Sequence, residues 1–435
     1  MQVANTSSIE GAYSYFDVDV SAALAAGGGT YLAVQVFRSY DWGVDCFSDH
    51  HAHEPPLNEQ VSCRGKNKTQ SQDLGITWVD WAPAPHDANL GIWRDVVLTM
   101  TPAHSTPVTV RYPGVATTLS AGNTAATVDI TAEVVNWGSA PLSGSVHAVL
   151  AGLGKATVAV QLPAASTGRP GLTQVVMKVD VNKLNPADDL WWPYQMGAAN
   201  RQNLSLTFIP GAVAVDPETA AAIASGVEAS VTALVGLRSA SNAIDQNGNA
   251  VFRVNGKRIL IRGGGYAPDL LQRMTHKRTR REMLLTKDMG LNSIRLEGKL
   301  QDDDLFEQCD EMGILVLPGL CCCDAWQSWA VWTPNTHQVA TNSLRAQVKR
   351  LRRFPSVISF LYSSDDLPPP DVERAYLDVF ESERWAVGLV SSASYKNSTL
   401  TGVSGVKMAG PCKNTYKPNA LVHFMTVSTV SSFGN

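Results

Sequence analysis

Apolar and polar positions alternate over much of the first hundred residues. Between residues 10 and 100, short alternating segments such as 30–37 and 93–100 are separated by clusters of Gly, Pro and Asp. A period of two is typical of strands with one buried face and one exposed face. The pattern predicts part of a β jelly roll over residues 1–104. A polar stretch at 44–72 interrupts it and is interpreted as a solvated surface loop rather than a metal site, although it contains a His cluster.

Residues 105–212 contain a second run of alternating segments, separated by turns at the spacing of a β-sandwich. This pattern predicts an immunoglobulin-like module. The ring-rich segment 190–197 lies inside it, and its aromatic residues allow two interpretations. Trp191, Trp192 and Tyr194 could stack on sugars, or they could pack at a domain interface, which is the more frequent use of such rings.

From residue 235 onwards, apolar runs of strand length alternate with helical segments, which indicates a parallel α/β unit. The runs are apolar almost throughout, as expected for strands that are covered on both faces. The predicted strands lie at 258–265, 292–298, 313–320, 357–365 and 405–411. A closed (β/α)8 barrel needs about eight strands. We therefore predict an incomplete TIM barrel over residues 235–435.

The helices between these strands have recognisable start and stop signals. Thr279 and Glu282 have the T-x-x-E spacing of a capping box, and they are predicted to begin a helix that Gly290 ends. A second helix is predicted over 302–312, with Gly313 as its stop. The segment 371–389 is also predicted to be a helix.

Composition and charge exclude several classes of protein. The 435 residues are 44% hydrophobic and 17% charged, and the net charge of -4 includes no block of like charge. This balance predicts a globular protein that binds neither nucleic acid nor a membrane. The length suggests roughly two to four domains. The first residues lack the basic start and apolar core of a signal peptide, so none is predicted.

Two conspicuous motifs resemble metal-binding or nucleotide-binding motifs but lack the required spacing. Cys321, Cys322 and Cys323 are adjacent and lack a second Cys or His pair at zinc spacing, so we interpret them as buried small apolar residues. The glycines at 263–265 do not open a helix with a G-x-G-x-x-G pattern, and this excludes a dinucleotide fingerprint. We expect neither a metal nor an organic cofactor.

Polar or Gly-rich sequence follows each predicted strand of the α/β unit, and barrel enzymes place their chemistry at those carboxyl ends. Asp365 ends the fourth strand just before a proline turn. There its carboxyl group could act as the general acid of glycoside hydrolysis, with Asp366 as a neighbour of like charge. The alternative is that both aspartates cap the helix that follows.

Glu297, at the end of the second predicted strand, is the next candidate. Its carboxylate could bind a cationic ligand group such as a protonated sugar amine. Alternatively, it could form a salt bridge with Lys299 or an arginine. Carboxylates mixed with aromatic rings are typical of sugar pockets. The polar and aromatic residues after the first and third strands that complete such a pocket are Asp269, Arg273, Asp324 and Trp326.

Several segments of the chain resemble glycoside hydrolase family 2, and within it the exo-β-D-glucosaminidase branch. These segments are 78–98, 190–197, 252–273, 290–319, 360–370 and 401–411. The resemblance implies a galactose-binding-like jelly roll, an immunoglobulin-like sandwich and a catalytic TIM barrel, in that order. It also implies an oligosaccharide as the partner and an extracellular or vacuolar location.

The resemblance gives roles to two carboxylates. Ser364 and Asp365 match a Ser-Asp pair that this branch has where most of the family has Asn-Glu, which makes Asp365 the acid/base of a retaining mechanism. Glu297 matches the L-E-G carboxylate that binds the substrate amine. The implied substrate is the non-reducing end of chitosan-like β-1,4-glucosamine oligomers. The alternatives are a β-mannosidase-like glycosidase and a carbohydrate-binding protein without catalysis.

Three departures from the family pattern bear on activity. The nucleophile should be a Glu at a later strand end, but every Glu after Asp365 falls within the predicted helix 371–389. The likeness fades near the end of the chain and Met1 falls inside the jelly roll, so we expect truncation at both ends. The loop at 318–326 has cysteines where the branch tends to have a Trp and a Glu. We expect residues 1–435 to cleave chitosan oligomers weakly or not at all.

Overall fold

The structure is a computed structural model that describes residues 3–4, 9–25, 31–36, 74, 92, 94–100, 106–166, 169–211, 229–269, 272–298, 300–320, 325–409 and 423–425. In the described residues before 106, the one regular element is helix α1 (Ser21–Ala25). The described parts of the two strands predicted there, 31–36 and 94–100, have no strand pairing. The polar stretch 44–72 lies outside the described residues. The jelly roll therefore stays a prediction.

Seven strands build two antiparallel sheets that face each other. They are β1 (Val108–Leu119), β2 (Ala126–Asn136), β3 (Leu142–Leu150), β4 (Gly154–Leu162), β5 (Gly171–Val181), β6 (Gln202–Pro210) and β7 (Ser230–Val235). The strand orders are β1-β2-β5 and β4-β3-β6-β7. Val128, Val179 and Phe208 are buried in one core that the two sheets share. Burial alternates along β5, as the period of two predicts. β7 pairs with β6 although it lies beyond residue 212, the predicted end of this module.

In chain order, a smaller antiparallel sheet follows these two sheets and precedes the α/β unit. It consists of β8 (Ala240–Ile244), β9 (Ala250–Val254) and β10 (Lys257–Ile259), in the order β10-β9-β8. The predicted strand 258–265 is therefore divided between two sheets. Its beginning belongs to β10, and only its end, β11 (Arg262–Gly265), joins the parallel sheet.

The parallel sheet contains seven described strands in the order β15-β14-β13-β12-β11-β19-β18. Besides β11, they are β12 (Ser293–Glu297), β13 (Leu315–Gly319), β14 (Ser359–Leu361), β15 (Gly388–Val390), β18 (Lys407–Ala409) and β19 (His423–Met425). The hairpin of β16 (Asn397–Ser398) and β17 (Gly402–Val403) precedes β18. The prediction of several domains, with antiparallel sheets followed by a parallel α/β unit, is confirmed. The assignment of the three regions to named domain types stays a prediction.

Four helices of the α/β unit connect these strands. They are α2 (His276–Asp288), α3 (Asp303–Met312), α4 (Pro334–Leu351) and α5 (Pro370–Ser382), with short 3-10 turns at Ala325–Gln327 and Trp329–Val331. In α3, the Asp302 side chain caps the first turn and Gly313 ends the helix in the left-handed region, with φ of 69°. The predicted start and stop of that helix are confirmed. No helix in the described ranges is long and apolar enough to cross a membrane.

The capping box predicted for α2 is wrong. The N-cap is Thr275, whose hydroxyl accepts a hydrogen bond from the Arg278 backbone N–H at 3.3 Å. Thr279 lies one turn inside the helix and is buried. Glu282 does not return to the N-terminus, because Tyr266 and the Arg278 side chain both donate to its carboxylate.

The helix predicted over 371–389 is also too long. α5 ends at Ser382, and Arg384 just beyond it has a φ of 55°, a value that does not continue a right-handed helix. The chain then enters β15, which pairs in parallel with β14. Gly388–Val390 is therefore the fifth strand of the unit in chain order, and the predicted strand at 405–411 contributes the later β18.

The aromatic segment 190–197 packs between the sandwich and the α/β unit. Trp191 is fully buried, and its indole N–H donates to the Asp310 carbonyl oxygen at 2.8 Å. The Tyr194 hydroxyl donates to the Leu291 carbonyl oxygen, also at 2.8 Å. Lys349 of α4 adds ion pairs to Glu133 of the sandwich and to Glu383, the latter at 3.8 Å. These contacts fix the sandwich against the helical side of the parallel sheet.

Candidate functional site

The predicted carboxylates lie at the same edge of the parallel sheet. Glu297 is the last residue of β12, and Asp365 follows β14 by four residues. β13 separates these two strands in the sheet. Because all three strands are parallel, their carboxyl ends lie at one edge, which is where barrel enzymes place their active sites.

Arg295 and Ser364 both donate hydrogen bonds to the Glu297 side chain. One of its carboxylate oxygens accepts from the Arg295 guanidinium at 3.1 Å, and the other accepts from the Ser364 hydroxyl. The side chain is 8% exposed, so a small part of it faces solvent at the strand end. The alternative that Glu297 pairs with an arginine is thus realised, and its partner is on the same strand. Lys299, the other partner considered, lies outside the described residues.

Arg295 is the buried cation of this cluster. It is two residues before Glu297 in β12, so both side chains project to the same face of the sheet. Its guanidinium also donates to the Ser364 hydroxyl at 2.8 Å. Arg295 and Ser364 are each 1% exposed. The fold forms this arrangement by placing Ser364, in the loop after β14, beside the carboxyl end of β12.

Asp365 is exposed, but its backbone is held on two sides. The Gln327 side-chain amide, oriented with its oxygen towards this turn, accepts from the N–H groups of Ser364 at 3.2 Å and Asp365 at 3.1 Å. From the loop after β15, the Ser394 hydroxyl donates to the Asp365 carbonyl oxygen at 2.5 Å. Ala393 N–H donates to the Ser364 carbonyl oxygen at 2.9 Å. Asp365 therefore combines a backbone that is fixed by hydrogen bonds with a carboxyl group that solvent can reach.

Asp366 is also exposed and forms an ion pair with Lys396 at 2.8 Å. Neither Asp365 nor Asp366 caps the next helix, since the N-cap of α5 is Pro369, without any side-chain cap. The capping alternative for the two aspartates is therefore wrong.

Asp269 and Arg273 lie together after β11. The Asp269 carboxylate accepts from Arg278 of α2 at 2.6 Å and from the Arg273 backbone N–H at 3.2 Å. The Arg273 guanidinium is 3.7 Å from the same carboxylate and its side chain is 74% exposed. These bonds tie the loop after β11 to the first turn of α2. The contribution of either residue to substrate binding stays a prediction.

Trp326 lies inside the protein, and Asp324 lies outside the described residues. Trp326 is 2% exposed, its indole N–H donates to the Leu74 carbonyl oxygen at 3.0 Å, and its ring centroid is 5.6 Å from that of Tyr13. In this conformation its ring contacts protein, so the predicted role in binding a sugar stays a prediction.

The three glutamates after Asp365 lie on or just after α5, none of them at a strand end. Glu373 is buried and accepts hydrogen bonds from three hydroxyl groups. Glu381 is exposed on the helix. Glu383 is buried among basic residues, including Arg352 at 3.6 Å. In the described ranges, no three metal-binding side chains cluster in a way that could hold an ion.

The side chains of Arg295, Ser364 and Gln327 were not predicted from the sequence to belong to the candidate site. A signal for Arg295 was present, because a buried strand with Arg and Glu two residues apart must pair these charges or leave them unsatisfied. Ser364 and Gln327 gave no such signal, since each acts through a contact between distant parts of the chain.

No family model matches the chain. The exo-β-D-glucosaminidase of Streptomyces avermitilis is 30% identical over 428 residues, which cover 94% of this chain and 41% of that protein. The corresponding enzyme of Amycolatopsis orientalis is 29% identical over 417 residues, or 94% of this chain and 35% of that protein. The crystal structure of the Amycolatopsis orientalis exo-chitosanase matches with a TM-score of 0.67 and 31% identity, covering 78% of this chain and 38% of the other.

This chain belongs to glycoside hydrolase family 2. The predicted resemblance is therefore confirmed. A family 2 β-galacturonidase from Eisenbergiella tayi shares the fold with a TM-score of 0.54 at 16% identity. The Amycolatopsis orientalis enzyme has also been solved in complex with PNP-β-D-glucosamine. This family 2 chain spans about two fifths or less of the length of its glucosaminidase relatives.

Proposed function

We propose that this chain carries part of the active site of an exo-β-D-glucosaminidase that acts on the non-reducing end of chitosan-like oligomers. In this proposal Asp365 is the acid/base and Glu297 receives the C2 amine of the sugar. The observation that carries the proposal is that the Ser364 hydroxyl, next to Asp365, donates to the Glu297 carboxylate at the common edge of parallel strands. The glucosaminidase relatives support the same substrate class.

The reaction would follow the retaining course. Asp365 donates a proton to the leaving glycosidic oxygen and later removes one from the attacking water. Because Asp365 is exposed, a sugar can reach its carboxyl group. The hydrogen bonds to its backbone fix the position of the backbone from which the side chain extends. A retaining enzyme places a second carboxylate about 5 Å away as the nucleophile. The described residues after Asp365 offer no Glu at a strand end, so we expect residues 1–435 to bind oligomers and to hydrolyse them weakly or not at all.

The regional assignments complete the proposal. Residues 1–104 would be a galactose-binding-like jelly roll, 105–212 an immunoglobulin-like sandwich and 235–435 part of a TIM barrel. The partner would be an oligosaccharide, met in an extracellular or vacuolar compartment.

One observation favours a second candidate, a β-mannosidase-like site. Arg295 already pairs with Glu297, so part of the carboxylate's charge is compensated before any amine arrives. An uncharged sugar would then compete better than at an unpaired carboxylate.

Titration calorimetry tests both candidates on residues 1–435. Binding of glucosamine oligomers that Glu297→Gln weakens and Asp365→Asn preserves is the expected result. Equal binding of mannose-based and glucosamine oligomers would favour the mannosidase-like site. Absence of binding to any β-linked oligomer would contradict both candidates. Rapid release of glucosamine that Asp365→Asn abolishes would support the site but contradict the expected lack of turnover.

A further inference from the structure

Arg295, Ser364 and Glu297 form a closed ring of three hydrogen bonds. Arg295 donates to Ser364 Oγ at 2.8 Å and to Glu297 Oε2 at 3.1 Å, and Ser364 Oγ donates to Glu297 Oε1. The three residues are 1%, 1% and 7% exposed, respectively. Water therefore competes little for these bonds, and each is worth more than its counterpart on the surface.

Chemistry fixes the direction of every bond in this ring. A guanidinium group only donates and an ionised carboxylate only accepts. The Ser364 hydroxyl, placed between them, must accept from Arg295 and give its single proton to Glu297. Each carboxylate oxygen of Glu297 thus accepts from one member of the ring. The two donors together prevent the carboxylate from rotating about its terminal bond.

The Ser364 hydroxyl is itself held in place through its backbone. The Ser364 carbonyl oxygen accepts from Ala393 N–H at 2.9 Å and from the Ser392 hydroxyl at 3.0 Å, both in the loop after β15. On the other side, Gln327 accepts from Ser364 N–H. Three loops at the sheet edge thus determine where the hydroxyl stands, and the hydroxyl determines the orientation of Glu297.

We infer that Ser364 is a positioning residue for amine recognition, which orients the Glu297 carboxylate towards the sugar and connects it to the segment that carries Asp365. This inference rests on the proposed function. Without the hydroxyl, the Glu297 carboxylate loses one of the two donors of this ring and is oriented less firmly. The amine of a ligand would then lose its acceptor, whereas the hydroxyl groups elsewhere on the sugar would keep their contacts.

The test compares oligomers of β-1,4-linked glucosamine and β-1,4-linked glucose of equal length, which differ by amine or hydroxyl at C2. Calorimetry on residues 1–435 gives the ratio of the two affinities. We expect Ser364→Ala to lower the preference for the amine roughly 10-fold, the usual effect of one hydrogen bond to a charged group. Affinity for the glucose oligomer should change little. Ser364→Thr, which keeps a hydroxyl, should restore the preference.

Ser359→Ala is the matched control, because Ser359 is a buried serine in β14 itself, away from the carboxyl end. This variant should keep the wild-type preference for the amine. A Ser364→Ala variant that is folded and also keeps that preference would overturn the inference.

A ligand-free measurement separates this inference from the proposed function. The hydroxyl and the carboxylate should be coupled in a double-mutant cycle of Ser364→Ala and Glu297→Gln, measured by denaturant unfolding. We expect a coupling of roughly 5-fold or more in the unfolding equilibrium constant. Additive effects would show that the two side chains do not interact and would overturn the inference. Coupling without any preference for amines in the wild type would instead contradict the proposed function.

Discussion

The hydroxyl of Tyr362, just after β14, donates a hydrogen bond to the carboxylate of Glu373 on α5 at 2.6 Å. Ser398 and Thr401, in and beside the β16–β17 hairpin, donate to the same carboxylate at 2.6 and 2.9 Å. Burial, followed by the bond to Glu373, raises the pKa of Tyr362, so its hydroxyl keeps the proton that it donates. One buried carboxylate therefore holds together a strand, a helix and a hairpin close to the candidate site.

Replacing Glu373 by alanine should destabilise the protein by about 3 kcal/mol, because the buried hydroxyl groups of Tyr362 and Ser398 lose their acceptor, as does the exposed Thr401. Glu373→Gln keeps one carbonyl oxygen and should cost less. Glu381→Ala is the control on the same helix, since Glu381 is exposed, and it should change stability by no more than about 0.5 kcal/mol. Denaturant unfolding measures all three. Equal stability of Glu373→Ala and Glu381→Ala would show that the three hydroxyl groups do not depend on this carboxylate.

The parallel sheet was largely predictable from local sequence, whereas the ends of its helices were not. β12 and β13 are short apolar runs between helical segments, and they form within two residues of the predicted bounds. Two threonines near the start of α2 could cap it, and Thr275 is the one that does. Glu282, the other half of the predicted capping box, instead accepts a hydrogen bond from Tyr266, a contact that the local sequence does not indicate. β15 was missed because neither Gly nor Pro separates it from α5 until Gly388. The helical conformation ends at Arg384, which has a positive φ.

The candidate site was predictable as a set of positions but not as a set of contacts. Glu297 and Asp365 were found because each follows an apolar run, and the parallel topology brings such ends to one edge. The ring of Arg295, Ser364 and Glu297 joins residues 67 positions apart in the chain. No periodic pattern records a pairing over that distance, so only the folded structure reveals it.

Within the glycines of 263–265, Gly263 allows close packing of two strands, and this gives a second prediction. A Cβ atom at Gly263 would lie 2.1 Å from the Ser293 carbonyl oxygen of the adjacent strand, whereas a Cβ atom at Gly265 would have no atom within 4 Å. We expect Gly263→Ala to cost roughly 1–3 kcal/mol, since backbone must move to admit it. Gly265→Ala, two residues along the same strand, should stay within about 0.5 kcal/mol of the wild type. Thermal unfolding of the two variants compares them directly, and similar melting temperatures would show that β11 and β12 are not this close.

The last prediction concerns Asp310, which is buried on α3 and accepts a hydrogen bond from the Ser356 backbone N–H at 2.9 Å. Burial raises the pKa of Asp310 to about 7, against the lowering effect of the hydrogen bond from Ser356. An Asp in an unfolded chain has a pKa of about 3.9. Between these two values the folded protein holds a proton that the unfolded chain releases. The stabilising contribution of Asp310 is thus complete below about pH 4, decreases as the pH rises, and is lost above about pH 7.

Asp310→Asn removes this titration while keeping an oxygen that can accept from Ser356. The variant should therefore gain stability relative to the wild type as the pH rises from about 4 to about 7, with no further gain above that. Unfolding by urea at a series of pH values measures the difference. Asp378→Asn is the control, because Asp378 is exposed on α5, and its difference from the wild type should stay nearly constant over the same range. Parallel pH profiles for Asp310→Asn and the wild type would mean that Asp310 is ionised in the folded protein, with its charge compensated by the nearby arginines Arg201 and Arg353.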